Sequence, residues 1–288
     1  MILLLAALLA ACAVAFGWWG SDIVFHPPRL LPSEIVPEQF GLACERVSFR
    51  TPDGLTLKGW VIPAAEETDR TLLVCHGWGD NKGDALRRFY FLARRYNLLM
   101  FDSRAHGESE GRTSTIGCLE ALDFDAALGF FREAYPRWTS RLGVVGLSMG
   151  AAMAIRGMAA HDAFRCAVLE SPFESFNDVV RQFTRSSYRL PAFPFAWLVL
   201  LFVRLRLGRD PEPSSPAHHI GRMPAKPLFF IAGGRDSWMP LPVTRRLFAA
   251  AREPKELWVI PEATHGHCRE TAGPEYERRI VDFLERSL

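Results

Sequence analysis

From Thr71 onward, short apolar runs alternate with amphipathic stretches, and that alternation leaves few architectures open. Runs at 71–75, 141–145, 166–169, 227–232 and 255–260 have the length and composition of buried strands. Between and after them the pattern predicts helices over 82–95, 117–135, 149–160, 241–252 and 274–288. Asp80-Asn81 caps the first of these, and Thr113-Ser114-Thr115 leads into the second. Strand–helix–strand connections of this kind are right-handed crossovers that lay strands side by side in parallel. Upstream, 46–50 and 55–61 alternate with a two-residue period about an Asp53-Gly54 hairpin turn. The expected fold is α/β, a mostly parallel central sheet with helices on both faces. A chain of 288 residues is long enough to bury a sizeable core in one such domain, placed at 44–288.

One junction carries chemistry. Gly146-Leu147-Ser148-Met149-Gly150 stands where a strand ends and a good helix former begins, which is the setting of a nucleophile elbow, G-x-S-x-G. The sharp reversal leaves the Ser148 hydroxyl exposed, and side chains two residues away on either side would collide, so glycine fits at both places. A nucleophilic serine needs a base, and the base needs an orienting acid. In this fold class they follow in the order serine, acid, histidine, on loops after later strands. Gly233-Gly234-Arg235-Asp236 follows the strand at 227–232, and Pro261-Glu262-Ala263-Thr264-His265 follows the strand at 255–260. Asp236 and His265 thus sit past the carboxyl ends of consecutive strands, the edge where open α/β sheets place their sites. His267 is the rival base and Glu170, ending the strand at 166–169, the rival acid; His265 and Asp236 are preferred on strand-end position and turn chemistry. For the tetrahedral oxyanion, the backbone N–H of Met149 is one donor. The other is the N–H of Trp78 in His76-Gly77-Trp78-Gly79, the loop after strand 71–75, where His76 is expected to pin the loop by hydrogen bonding rather than to move protons.

With these motifs in place, the chain resembles an α/β-hydrolase from about Glu45 to its C-terminus. The resemblance rests on the His76–Gly79 loop, the elbow at 146–150, Gly234-Arg235-Asp236 and His265. It also rests on Asp102-Ser103-Arg104-Ala105-His106-Gly107-Glu108-Ser109, which is similar to the family's D-x-R-G-x-G-x-S loop. Here Ala105 stands where that loop has glycine, so its turn is expected to differ slightly. More narrowly, the layout resembles the serine-aminopeptidase-like group and the membrane-anchored BEM46-type hydrolases. Those begin with a hydrophobic segment, a Pro-Arg-rich tether and a hairpin containing Asp-Gly. The resemblance implies acyl-transfer chemistry without a cofactor, and a lid inserted after the sixth strand, at about 172–222.

Composition narrows the partners. A formal net charge of +2 on a chain that is 49% hydrophobic gives no reason to invoke nucleic acid. The six cysteines are scattered, with no C-x-x-C and no Cys/His cluster, which argues against a metal site, and Cys75 and Cys166 read as buried thiols. Residues 1–21 carry no charged side chain and end near Trp18-Trp19, the length and aromatic edge of a membrane anchor. A cleaved signal is disfavoured by the missing basic residues, and Leu9-Ala10-Ala11-Cys12 also resembles a lipobox. Neither flank is basic enough to set an orientation, Arg29 being nearest; residues 22–43 read as a tether. In the lid, 190–203 is apolar and broken by Pro191 and Pro194. It is expected to form a helix packed on the core, or one that shapes an apolar acyl pocket and meets head groups through Arg204 and Arg206. The expectation is a membrane-tethered serine hydrolase acting on an ester or thioester with an apolar or lipid-like acyl part. A peptidase of the same chemistry and a silent hydrolase fold used as a membrane module are its rivals.

Overall fold

The computed structural model describes residues 1–29 and 35–288; residues 30–34 of the expected tether lie outside the described residues. Helix α1 (Ile2–Phe25) precedes a hairpin of β1 (Glu45–Arg50) and β2 (Thr56–Ile62), which pair antiparallel around Gly54 at φ +91°. Then follow β3 (Arg70–Cys75), α2 (Lys82–Phe89), β4 (Asn97–Phe101), α3 (Glu120–Ala134), β5 (Arg141–Leu147), α4 (Met149–Ala160) and β6 (Phe164–Glu170). The insertion holds α5 (Phe176–Tyr188) and α6 (Trp197–Leu207), and the chain closes with β7 (Leu228–Gly233), α7 (Leu241–Ala250), β8 (Lys255–Ile260), α8 (Cys268–Ala272) and α9 (Pro274–Ser287). The described strands make one eight-stranded sheet in the order β1-β2-β4-β3-β5-β6-β7-β8, parallel from β4 to β8.

Side-chain alternation divides the core into two layers. Along β3, Leu72 and Val74 join a cluster with Leu86 and Phe89 of α2 and Phe283 of α9. Leu73 and Cys75 join the opposite cluster, with Phe124 of α3, Met153 of α4 and Leu247 of α7. Cys75 and Cys166 are buried free thiols, and burial pushes both well above the usual thiol range.

Three elements depart from the sequence pattern. The helix expected over 82–95 ends at Phe89 and tightens into a 3-10 turn over Tyr90–Arg94, which tucks Leu92 and Ala93 beneath the sheet ahead of β4. The helix expected over 117–135 begins only at Glu120. The buried Glu120 carboxylate accepts hydrogen bonds from the Ser114 and Thr115 hydroxyls and from the Thr115 and Gly117 amides. Those bonds fold the segment into a turn, with Ile116 and Gly117 at positive φ. Thirdly, α6 does not pack on the main core. Its Val199, Leu200 and Val203 form a separate cluster with Val24 and Phe25 of α1 and Phe176 and Val180 of α5. Small residues permit this approach, since a Cβ on Gly17 would stand 2.8 Å from the Phe202 ring and one on Gly20 would run into Val199.

The loop after β4 ties the hairpin to the core. Arg104, itself buried, bonds the Asp53 carboxylate through two nitrogens (2.8 and 3.1 Å) and donates to buried Asp123 of α3 at 2.7 and 2.9 Å. Arg104 holds Asp53 down to about 2, while burial pushes Asp123 up to about 6. Ala105 keeps the left-handed turn at φ 61°, a conformation in which its Cβ is strained. Arg104→Met should cost about 3–5 kcal/mol in urea unfolding, because it strands the Asp123 charge; a loss below 1 kcal/mol would show that the pair is not needed. Ala105→Gly should stabilise by up to about 1 kcal/mol in the same assay by relieving the strain, and a destabilised variant would refute that account.

Candidate active site

Ser148 sits at φ 53°, ψ −113°, between the end of β5 and the first turn of α4. A Cβ on Gly146 would overlap the Gly150 carbonyl, and one on Gly150 would overlap the Cys75 carbonyl at the end of β3. The Ser148 N–H donates to the Glu170 carbonyl at 2.9 Å, which pins the turn to β6. Packing on three strands therefore holds a backbone conformation that a serine would not otherwise adopt.

Asp236 lies in the turn after β7 and is 4% exposed. Its Oδ1 accepts the N–H groups of Trp238 (2.9 Å) and Met239 (2.7 Å), and its Oδ2 lies 2.7 Å from His265 Nδ1. With two amides on one oxygen, the other is left for the imidazole. A carboxylate oxygen at that distance requires the proton on Nδ1, so in the neutral tautomer fixed here the lone pair is on Nε2. Trp238 lies against the ring, 5.4 Å between centroids, and limits its rotation. Ser148 and His265 line the same cavity, of about 480 Å³, together with Gly77, Trp78 and Leu147.

The rivals are bonded to other groups, although His267 also lines the cavity. Glu170 is buried, and its Oε2 accepts the Tyr276 hydroxyl at 2.5 Å while Oε1 faces Arg88 at 3.7 Å. His267 bonds the His265 carbonyl through Nδ1 at 2.9 Å and leads into α8. Among the described residues, neither the Trp78 nor the Met149 backbone N–H has a hydrogen-bond partner. The Met149 group belongs to the open first turn of α4, whose amides and dipole favour developing negative charge.

Two buried histidines shape the donor loop. His76 Nδ1 faces the Gly77 carbonyl at 2.7 Å and Nε2 faces the Ser103 amide at 2.9 Å. His106 repeats the arrangement, with Nδ1 facing the Arg104 carbonyl at 2.8 Å and Nε2 accepting the Gly79 amide at 3.1 Å. A carbonyl accepts only and an amide N–H donates only, so both rings are neutral with the proton on Nδ1. Burial lowers His76 and pushes His106 down to about 4, with the neighbouring His76 adding to the effect. His106 was invisible in the sequence as a support of the donor loop, because it is 27 residues away from Gly79.

More was missed in the lining of the cavity. Phe16, Trp19, Ile23 and Val24 of α1 line it together with Ser148 and with Val180 and Phe183 of α5. An apolar helix gives no periodic signal of which face is buried. Arg204 and Arg206, expected to meet head groups, are engaged within the protein. Arg206 bonds Ser21 (2.8 Å) and Asp22 (3.0 Å), and Arg204 bonds Asp210 (3.1 Å) and Asn177 (3.2 Å).

A family model described as serine aminopeptidase, S33, matches residues 66–225. An uncharacterized protein of Mycobacterium tuberculosis is 31% identical across all of this chain and 94% of its own length. Protein bem46 of Schizosaccharomyces pombe is 26% identical over 86% of this chain and 79% of its own. The solved esterase Pf2001 of Pyrococcus furiosus superposes with a TM-score of 0.78 at 29% identity, covering 92% of this chain and 98% of that one.

The neutral histidine pair has a measurable consequence. A histidine lowered by folding binds fewer protons than in the unfolded chain, so its stabilisation is intact above its ordinary value near 6.5 and is lost as pH falls toward about 4. Replacing the ring by a glutamine amide, which also accepts from Gly79, removes that titration. As pH falls from 6.5 to 4 the unfolding equilibrium constant of the native chain should rise more steeply than that of His106→Gln, by up to about tenfold per pH unit. Chemical denaturation at stepped pH reads this directly, and parallel slopes would contradict a neutral His106.

Proposed function

Because this chain belongs to the serine aminopeptidase S33 family of α/β-hydrolases, and is a hydrolase of that fold, we propose that it is a membrane-anchored serine hydrolase. Its substrate is an ester or thioester with an apolar acyl part. The observation that carries this reading is His265, held by Asp236 at 2.7 Å and lining one cavity with the strained Ser148. Ser148 Oγ attacks the acyl carbonyl while His265 Nε2 takes its proton. Asp236 holds the Nδ1 tautomer and stabilises the imidazolium. The N–H groups of Trp78 and Met149 receive the oxyanion as charge develops on it. Collapse of the tetrahedral intermediate expels the alcohol or thiol, protonated by His265, and leaves an acyl-enzyme on Ser148. Water, deprotonated by the same imidazole, then releases the acid. No step calls on a cofactor.

The lining of the cavity supports an apolar acyl group over an aminoacyl one. Most of its lining is aliphatic and aromatic, and the charged residues Asp80, Glu270, Arg87 and Arg88 are two of each sign. A balanced set of this kind does not select a substrate ammonium, as an aminopeptidase would require. In the proposed organisation 1–21 is the anchor, 22–43 the tether and 44–288 the hydrolase domain with its lid. The anchor reading is supported by α1, 24 residues with a mean hydropathy of 2.3 over its most apolar window.

Ser148→Ala should abolish both fluorophosphonate labelling and ester turnover, and Asp236→Asn should lower kcat by about 10³–10⁴-fold with the fold intact. Undiminished turnover by Ser148→Ala would sink the proposal. A folded native chain that reacts with no serine probe would instead favour a non-catalytic module.

A further inference from the structure

α1 has two environments along its length. Up to residue 15 it stands clear of the body almost throughout, with Leu4 77% and Leu8 61% exposed, whereas Gly17, Ser21, Val24 and Phe25 are buried against the lid. The change falls at a ring of aromatic side chains. Phe16 meets Phe195 edge-on at 5.0 Å, Trp18 meets Phe202 at 5.9 Å and Trp19 meets Tyr188 at 5.4 Å. Nearby in the lid, Phe193 and Trp197 are 76% and 53% exposed. Such a ring at the foot of a lipid-soluble helix marks the level of a membrane interface. Residues 2–19 rise about 27 Å at 1.5 Å each, close to the thickness of a hydrocarbon core.

The same stretch of helix walls the cavity. Phe16, Trp19, Gly20, Ile23 and Val24 recur at the three- and four-residue spacing that shares one face of a helix, and that face looks into the space containing Ser148 and His265. Gly17 and Ser21 look the other way, toward α6 and Arg206. The helix is also fixed at its end, since the Phe25 carbonyl accepts the Ser114 amide at 2.8 Å and Arg29 donates to the Gly107 carbonyl at 2.9 Å. The wall is therefore held in register with the nucleophile.

We infer that α1 is a specificity element as well as an anchor. Its face at Phe16, Trp19 and Ile23 forms the acyl-binding wall, and the substrate is a long-chain acyl ester residing in the bilayer, whose chain lies between α1 and α5. The inference rests on the serine-hydrolase reading above. It follows that chain-length preference is written in the anchor, where residues of the hydrolase domain alone would not set it.

The full chain, reconstituted in phosphatidylcholine vesicles, is assayed with p-nitrophenyl palmitate, which partitions into the bilayer, and with the water-soluble acetate. The native protein should show at least about tenfold higher kcat/KM for palmitate. Ile23→Trp, which fills the cavity from α1, should cancel that preference, read as a palmitate-to-acetate ratio of kcat/KM that falls to about one. Val14→Trp, on the exposed part of the same helix, should leave both rates unchanged. Should Ile23→Trp fail to fold, Ile23→Ala removes wall contacts without adding bulk and should lower the palmitate-to-acetate ratio several-fold. An unaltered ratio in the folded Ile23 variants, or a native protein indifferent to chain length, overturns the inference while leaving the hydrolase reading standing. Absence of turnover together with an unlabelled Ser148 removes both.

Discussion

The site depends on a close approach of backbones that only glycine allows. α4 begins so near the ends of β3 and β5 that any side chain at 146 or 150 would overlap a neighbouring main chain. From that contact come the positive φ of Ser148, the direction of its side chain, and the open amides of the first turn of α4 beside the Trp78 loop. The sheet supplies the rigidity. β5 is flanked by β3 and β6, so the elbow cannot relax without breaking register on both sides. Strain is thus maintained by the most buried part of the fold, which is where it is best resisted.

Around that contact a set of interior polar groups is arranged so that each has one available state. Asp236 spends one oxygen on two amides and keeps the other for His265. His76 and His106 each face a carbonyl on one side and an amide on the other, which fixes their tautomers without any charge. Glu120 accepts four hydrogen bonds from the turn before α3. Buried groups satisfied in this way confer a single geometry on the loops that carry the donors.

Much of this was legible in the sequence because it is local. The elbow, the Gly-Gly-Arg-Asp turn and the strand end before His265 are short motifs whose meaning comes from the element on either side. Strands β3 and β5 to β8 follow directly from apolar runs, and the sheet places their carboxyl ends together. What was not legible is held by long-range partners. The late start of α3 comes from a glutamate folding back on the residues before it. The support of Gly79 by His106 joins positions that share no pattern. The seating of α6 against α1 escaped for a different reason. Both helices have apolar side chains nearly all round, so composition does not show which face of each meets the other.

The clamp at the end of α1 has a kinetic meaning. An enzyme on a slack leash tumbles above its membrane and meets substrate from all directions. Here the Ser114 bond to Phe25 and the Arg206 bridge to Asp22 leave the catalytic body no such freedom relative to its helix. On the proposed reading, the cavity rides at a set height and tilt as the helix diffuses laterally. Encounter then becomes a search in two dimensions, governed by how many substrate molecules share the leaflet rather than by how many are dissolved around it.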